Sequence, residues 1–446
     1  MVFPFYSQSS RLPALLTVVL LLLSSAPAQA QSNGDGSIYS RFGIGTLTNF
    51  SSSQSAALGD GAYALRSLNY NATANPALWS DQVFTRLSAG GSFQRIVAEG
   101  GANQSSRLSS GSIQALKFSF PIYKRSLGVG FTFQPYTEHN YRLRTQETVN
   151  ISTNPDPITY EKNFRGQGGL HTFRGGLGYR VSDWLSVGAS FDVLFGILQK
   201  KRSTEFENPS FRNVTVSDDT RLLGASGTLG THLAFADVFS TDDAFSLGAS
   251  VSFPTTLDGT RVFTRGEGSN LTPDTLQSVE GEISLPWKGK FGVAYQPNAS
   301  WTFTADGLYE PWSSFSTTFG RTAPFENTFP VNGTQTLTDR WRVSVGTEVL
   351  PAGENTLSGY FSTIVYRLGL YTERLYVRPN GQRTLQSYAV TGGFSFPTTL
   401  SGTRIDLNFR AGQRGTTENA LVRDTFFGVA LHINFGERWF RERKLR

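Results

Sequence analysis

The 446-residue chain has no cysteine and a single methionine, Met1. Without cysteine it has no disulfide framework, no thiolate metal site and no lipoprotein anchor. Charge is scarce as well: Asp, Glu, Lys and Arg make up 17%, against about 25% in ordinary globular chains. Long apolar runs are missing apart from LPALLTVVLLLL, residues 12–23, which follows Arg11 and runs into APAQA at 26–30. A basic start, a short apolar stretch and a small-residue site form a secretory signal peptide, and the run is too short for a membrane helix. Residues 1–30 are therefore expected to be a signal peptide cleaved before Gln31, with no transmembrane helix after it. The net charge of +6 is scattered singly, and an exported chain of this kind is not expected to bind nucleic acid. Only 437–446, ending RWFRERKLR, is locally basic, and it reads as a solvated periplasmic tail.

Catalytic and metal-binding patterns are wanting too. His139, His171, His232 and His432 are far apart and lack ligand spacing, and no nucleophile elbow, P-loop or dinucleotide fingerprint occurs. No enzyme activity, cofactor or metal is expected.

What is present is aromatic residues, 13% of the chain, and alternation of period two, which puts one residue set on each face of a strand. In TRIDLNFRA, Ile405, Leu407, Phe409 and Ala411 share one face while Arg404, Asp406, Asn408 and Arg410 share the other. In the last strand Phe427, Val429, Leu431, Ile433 and Phe435 oppose Gly428, Ala430, His432 and Asn434. Such segments recur about fourteen times between 83 and 436, one of them placed at 356–367. Short turns such as PIYKR, SDW and PAGEN alternate with long polar connections near 139–167, 200–219, 255–285 and 313–338. Short turns on one side, long loops on the other and an even strand count predict an all-β transmembrane antiparallel barrel of the bacterial outer membrane, with lipid as its surroundings. Trp184, Trp287, Trp301, Trp312, Trp341 and Trp439 fit interfacial girdles.

Residues 31–82 precede the barrel. Within them NYNATANPALWS holds a rigid corner: Pro76 fixes its own φ and offers no N–H, Asn75 before it is biased away from the helix, and Ala77 follows. The segment AALGDGAYALRSLNYNATANPALWSDQVFTRLSAGGSF at 56–93, with its Asn-Pro-Ala triplet, resembles the N-terminal region of the FadL/TodX family of outer-membrane transporters for hydrophobic compounds. LPWKGKFGVAYQPNASWTFTADGLYEPWSSF at 285–315 is similar to the family's central strand pair, carrying Asp306, and YSRFGIG at 39–45 with ERWFRERK at 437–444 resembles its Bacteroidetes-like branch.

The resemblance implies that 31–82 fold into the lumen as a hatch, turning into the barrel at Asn75, Pro76 and Ala77. It also implies a lateral opening at a kink of the third strand, for which Gly130 and Pro135 are candidates, since proline removes a ladder donor. Asp306, Arg404, Asp406, Arg410 and His432 are candidate lumen-facing residues. The function implied is passive uptake of long-chain fatty acids or aromatic hydrocarbons. Two alternatives stay open: a role in protein secretion or as a scaffold, with a periplasmic or secretion partner, and a general porin for polar solutes, which the charges of Arg404, Asp406 and Arg410 keep in view.

Overall fold

The computed structural model describes residues 35–437 except 102–103, 151–156, 268–273, 320–335, 356, 380–383 and 401. The expected signal peptide, the tail from 438 and Trp439 lie outside the described residues.

Eighteen strand segments form one closed antiparallel barrel, and four pairs of segments are halves of bent strands, giving fourteen strands. They are β1 (Thr85–Glu99), β2 (Ser105–Tyr123), β3 (Leu127–Pro135 and Tyr141–Val149), β4 (Ile158–Arg180), β5 (Leu185–Phe206), β6 (Val214–Ala236) and β7 (Ala244–Ser252 and Thr255–Glu267). The second half comprises β8 (Asp274–Leu285 and Lys288–Asn298), β9 (Trp301–Glu310 and Ser316–Thr317), β10 (Arg340–Val349), β11 (Val365–Arg374), β12 (Gln386–Pro397), β13 (Arg404–Gly415) and β14 (Arg423–Glu437). β14 closes on β1 along its whole length, from Thr85 opposite Glu437 to Glu99 opposite Arg423.

Alternation sets the two faces. Leu87, Phe93, Phe191, Phe291, Val343, Val390, Phe427 and Ile433 are exposed on the outside, while the positions flanking them are buried or half-buried inside the barrel. A closed ladder pairs the backbone internally, so this apolar exterior suits hydrocarbon.

Two expectations need correction. Three of the long polar connections are mostly ladder: β4, β5 and β6 run 23, 22 and 23 residues, about twice the 9–11 needed to cross a bilayer. Their upper halves stand above the apolar belt as a polar parapet, because polar residues on both faces of a strand are stable only in water. The strand placed at 356–367 begins later, at Val365, because a 3-10 turn, Tyr360–Thr363, fills the connection before it.

A break in the pairing of the wall lies between β2 and β3. β2 pairs β1 from Ser105 to Ser119, but meets β3 only below Leu116, which faces Phe133. Above that level Tyr141–Val149 of β3 pairs β4 alone. Between the halves of β3 the chain turns inward over 136–140. Tyr136 and His139 still donate to Leu170 and Gly168 of β4, at 2.7 and 2.9 Å, while Thr137 and Glu138 pair with Leu47 and Thr46 of the N-terminal segment.

Candidate functional site

Residues 35–82 bond to inward-facing groups on strands all round the barrel and so lie within its lumen. Three layers hold them.

At the level of the short turns the NPALWS corner is a 3-10 turn, Pro76–Asp81, capped by the Asn75 side chain, which accepts from Ala77 N at 3.0 Å. The same side chain donates to Thr231 O on β6 at 2.9 Å. The wall beside the turn is bare of side chains: a Cβ on Gly178 would lie 2.5 Å from Pro76 O, and one on Gly188 2.4 Å from Ala77 N. Only glycine permits this approach. Gly130 serves the same purpose, facing the Trp79 ring, which a Cβ would meet at 3.0 Å. Trp79 itself is 1% exposed and donates to Ala72 O at 2.7 Å.

The middle layer is ionic. Asp60 carries two guanidiniums on one oxygen, Arg342 of β10 at 2.9 Å and Arg410 of β13. Arg342 continues to Glu373 at 3.0 Å, and Arg340 links Glu373 at 2.7 Å to Glu310 at 2.9 Å. Asp306 accepts Ala62 N and Tyr63 N at 2.7 and 2.8 Å. Asp406 accepts from Ser53 at 2.6 Å and Tyr70 at 2.8 Å, and Arg367 bridges it to Glu348. Arg404 donates to Ser395 Oγ at 2.7 Å, and His432 stacks on Phe50 with ring centres 5.2 Å apart. Across the lumen, Arg174 holds Asp192 through two bonds, 2.6 and 2.7 Å, and donates to Thr73 O; Lys117 donates to Ser51 O and Asn71 O. Asp306, Asp406, Arg410 and His432 thus all meet the N-terminal segment. Arg404 reaches it only through Ser395, which contacts Tyr70.

The upper layer is apolar. Ile44 and Leu47 pack with Leu170, Leu194, Leu198, Leu257, Trp312, Phe319 and Tyr376 in one buried cluster. Tyr376 Oη receives Ile44 N at 3.1 Å and donates to Gly45 O at 2.5 Å. Gly43 makes this possible: its φ is +57, and a Cβ there would meet Tyr376 Oη at 2.6 Å. Trp312 is 1% exposed and belongs to this layer rather than to an interfacial girdle, its indole donating to Glu310 at 2.9 Å. Trp184, Trp287 and Trp301, by contrast, are exposed. Tyr39, near the top, donates to Val422 O; burial, then the nearby Asp424 carboxylate, push its hydroxyl up to about 12.

Pro135 ends the lower half of β3, and its carbonyl accepts Thr48 Oγ1 at 2.5 Å. Just inside the break in the wall is a cavity of about 130 Å³ whose lining includes Gln94, Gln114, Glu138, Arg342, Arg410 and Arg414. A second, of about 70 Å³, is lined in part by Arg174, Asp192, Lys288 and Lys290. The first is mainly polar, the second mixes charged groups with Phe50, Leu194 and Phe253, and both are well below the ~300–1,000 Å³ of small-molecule pockets. Asp60, Arg342 and Glu373 are not legible as partners in the sequence, because they are hundreds of residues apart or on separate strands; the hint is charge on faces that alternate with lipid-facing ones.

Among solved structures, the chain is similar to a Pseudomonas aeruginosa FadL homologue at 11% identity, covering 88% of this chain and 99% of that one with a TM-score of 0.57. It is also similar to the CymD monoaromatic hydrocarbon channel, at 14% identity, 88% and 99% coverage and a TM-score of 0.55. The Ralstonia pickettii toluene transporter TbuX follows at 15%, 87%, 98% and 0.52. At such identities the likeness establishes a FadL-like barrel fold. No curated protein matches the chain. The BamG family profile matches residues 14–446, and the chain therefore belongs to the BamG family.

Proposed function

We propose that this protein works in the outer membrane as a permanently filled barrel, a scaffold that a protein partner in secretion or assembly uses, rather than as an uptake channel. The observation that carries this reading is the lumen itself. Its apolar layer is occupied by the chain's own Ile44 and Leu47, and the segment is fixed below by Asp60 between Arg342 and Arg410. A hydrophobic solute entering there would have to displace this packing and strand buried charges, each broken pair costing about 3–5 kcal/mol.

A covalent lock tests it. The chain has no cysteine, and a Cβ on Gly346 of β10 would lie 2.8 Å from Leu58 Cβ, about 1 Å short of the ~3.8 Å of a cystine, so bridging the two positions requires them to part by that much. Leu58→Cys with Gly346→Cys, oxidised, is expected to restore the surface proteome of a deletion strain as fully as the wild type. Restoration only after reduction would defeat the scaffold reading.

Uptake of hydrophobic compounds is the second reading. It is favoured by the break between β2 and β3 at the inward turn after Pro135 and by the fold shared with the hydrocarbon channels. Under it, the segment 35–82 is a hatch, the break is the lateral exit, and the oxidised lock abolishes uptake of a labelled fatty acid or aromatic hydrocarbon.

A further inference from the structure

The parapet carries a feature unrelated to the lumen. On its outer face, register places Arg142 of β3 opposite Arg165 of β4, and Arg165 opposite Lys201 of β5. Adjacent strands are about 4.8 Å apart, so three cations lie in a row roughly 10 Å long. All three point outward: the alternate position on β4, Phe164, lies under the Arg41 guanidinium inside the barrel, at 5.3 Å. Arg142 and Lys201 are exposed and Arg165 half-buried. None of the three forms an ion pair among the described residues; the nearby Arg144 is met by Glu161 at 3.9 Å. Like charges directly opposite one another destabilise a sheet, so the row is a cost unless an anion answers it.

Its height identifies the anion. Below it the same face is apolar: Phe173 and Leu177 on β4, and Phe191, Phe195 and Ile197 on β5, are exposed. Lys201 stands four residues beyond Ile197. With a rise of about 3.3 Å per residue and strands tilted ~40°, it lies roughly 10 Å above the last apolar position. Lys and Arg side chains reach several ångströms back toward the membrane, which brings the three charged heads to the headgroup layer of the outer leaflet. Guanidinium groups bind phosphate through paired N–H donors, and a lysine adds a point charge.

We propose that Arg142, Arg165 and Lys201 form a binding site for the phosphate groups of an outer-leaflet lipid, on the outer face of β3–β5 beside the break in the wall. Each basic residue at a membrane surface contributes roughly a fivefold gain in affinity for anionic lipid, so the row is worth about a hundredfold.

The test uses full-length protein in neutral detergent, with diphosphorylated lipid A, phosphatidylcholine or inorganic phosphate added, and reads bound lipid by native mass spectrometry and the unfolding temperature. Lipid A is expected to bind and raise the unfolding temperature of the wild type, while phosphatidylcholine does not. R142Q/R165Q/K201Q should lose about a hundredfold in lipid A affinity. K124Q, a charge removed from the exposed turn between β2 and β3, should lose none. Equal binding of lipid A by the triple variant and the wild type overturns the site. Equal stabilisation by inorganic phosphate and lipid A overturns its assignment to lipid. The shift of each variant on unheated gels reports whether the barrel has folded, and Arg142→Lys, which keeps the charge, should retain most of the binding.

Discussion

Arg342 of β10 donates to Asp60 of the N-terminal segment at 2.9 Å, both side chains nearly inaccessible, and Arg410 of β13 shares the same carboxylate oxygen. One acid on the segment thus joins two strands of the wall. Asp60→Asn leaves the buried Arg342 guanidinium and the partly exposed Arg410 facing a neutral amide, and losing the buried pair costs about 3–5 kcal/mol. The expected result is a lower urea midpoint and bursts of ion conductance in planar bilayers. Adding Arg410→Gln should recover part of the loss, as coupled charges do; a conductance as quiet as the wild type's would mean that this pair does not hold the segment.

Asp306 holds the next turn of the segment through two backbone donors, Ala62 N and Tyr63 N. A hydrogen bond to a charged group is worth about 1.5–3 kcal/mol, so Asp306→Ala should free the chain around 60–66. Trypsin cleavage after Arg66, followed on the intact barrel, should quicken by tenfold or more.

Gly43 lies where φ is positive and against the Tyr376 ring. Gly43→Ala adds backbone strain of about 1–3 kcal/mol and pushes the ring aside. Ile44 should then leave the apolar layer, and a polarity-sensitive hydrophobic dye should bind the variant and not the wild type. Dye binding equal in both would show that the layer repacks.

Tyr39 links pH to the top of the segment. Its folded value is raised to about 12 from about 10 in an unfolded chain. The stability it contributes is therefore complete below about pH 10 and is lost as pH rises toward 12. Protease cutting within 35–47 should increase over that alkaline window, and Tyr39→Phe, which has no proton to lose, should remove the step.

Alternation along Ile405–Ala411 and Phe427–Phe435 was enough to announce strands, and repeated fourteen times with alternating short and long connections it announced a barrel. That follows because the period of a strand is a local property: each side chain's face is set by its neighbours in sequence. The same pattern misjudged the long connections, since strands that rise out of the membrane lose the apolar half of the alternation while keeping their ladder. It also misjudged Trp312, whose position near a strand end suits a girdle until the turn after Glu310 carries it inward.

Alternation alone puts Arg404, Asp406 and Arg410 on one face, and local backbone chemistry alone makes a corner of Asn75 and Pro76. The meeting of Asp60 with Arg342 and Arg410, the filling of the apolar layer by Ile44, and the row of Arg142, Arg165 and Lys201 arise in the folded barrel. Closure accounts for the difference. Curling fourteen strands into a barrel brings residues hundreds of positions apart onto one inner surface, and register, which no single strand encodes, selects the partners.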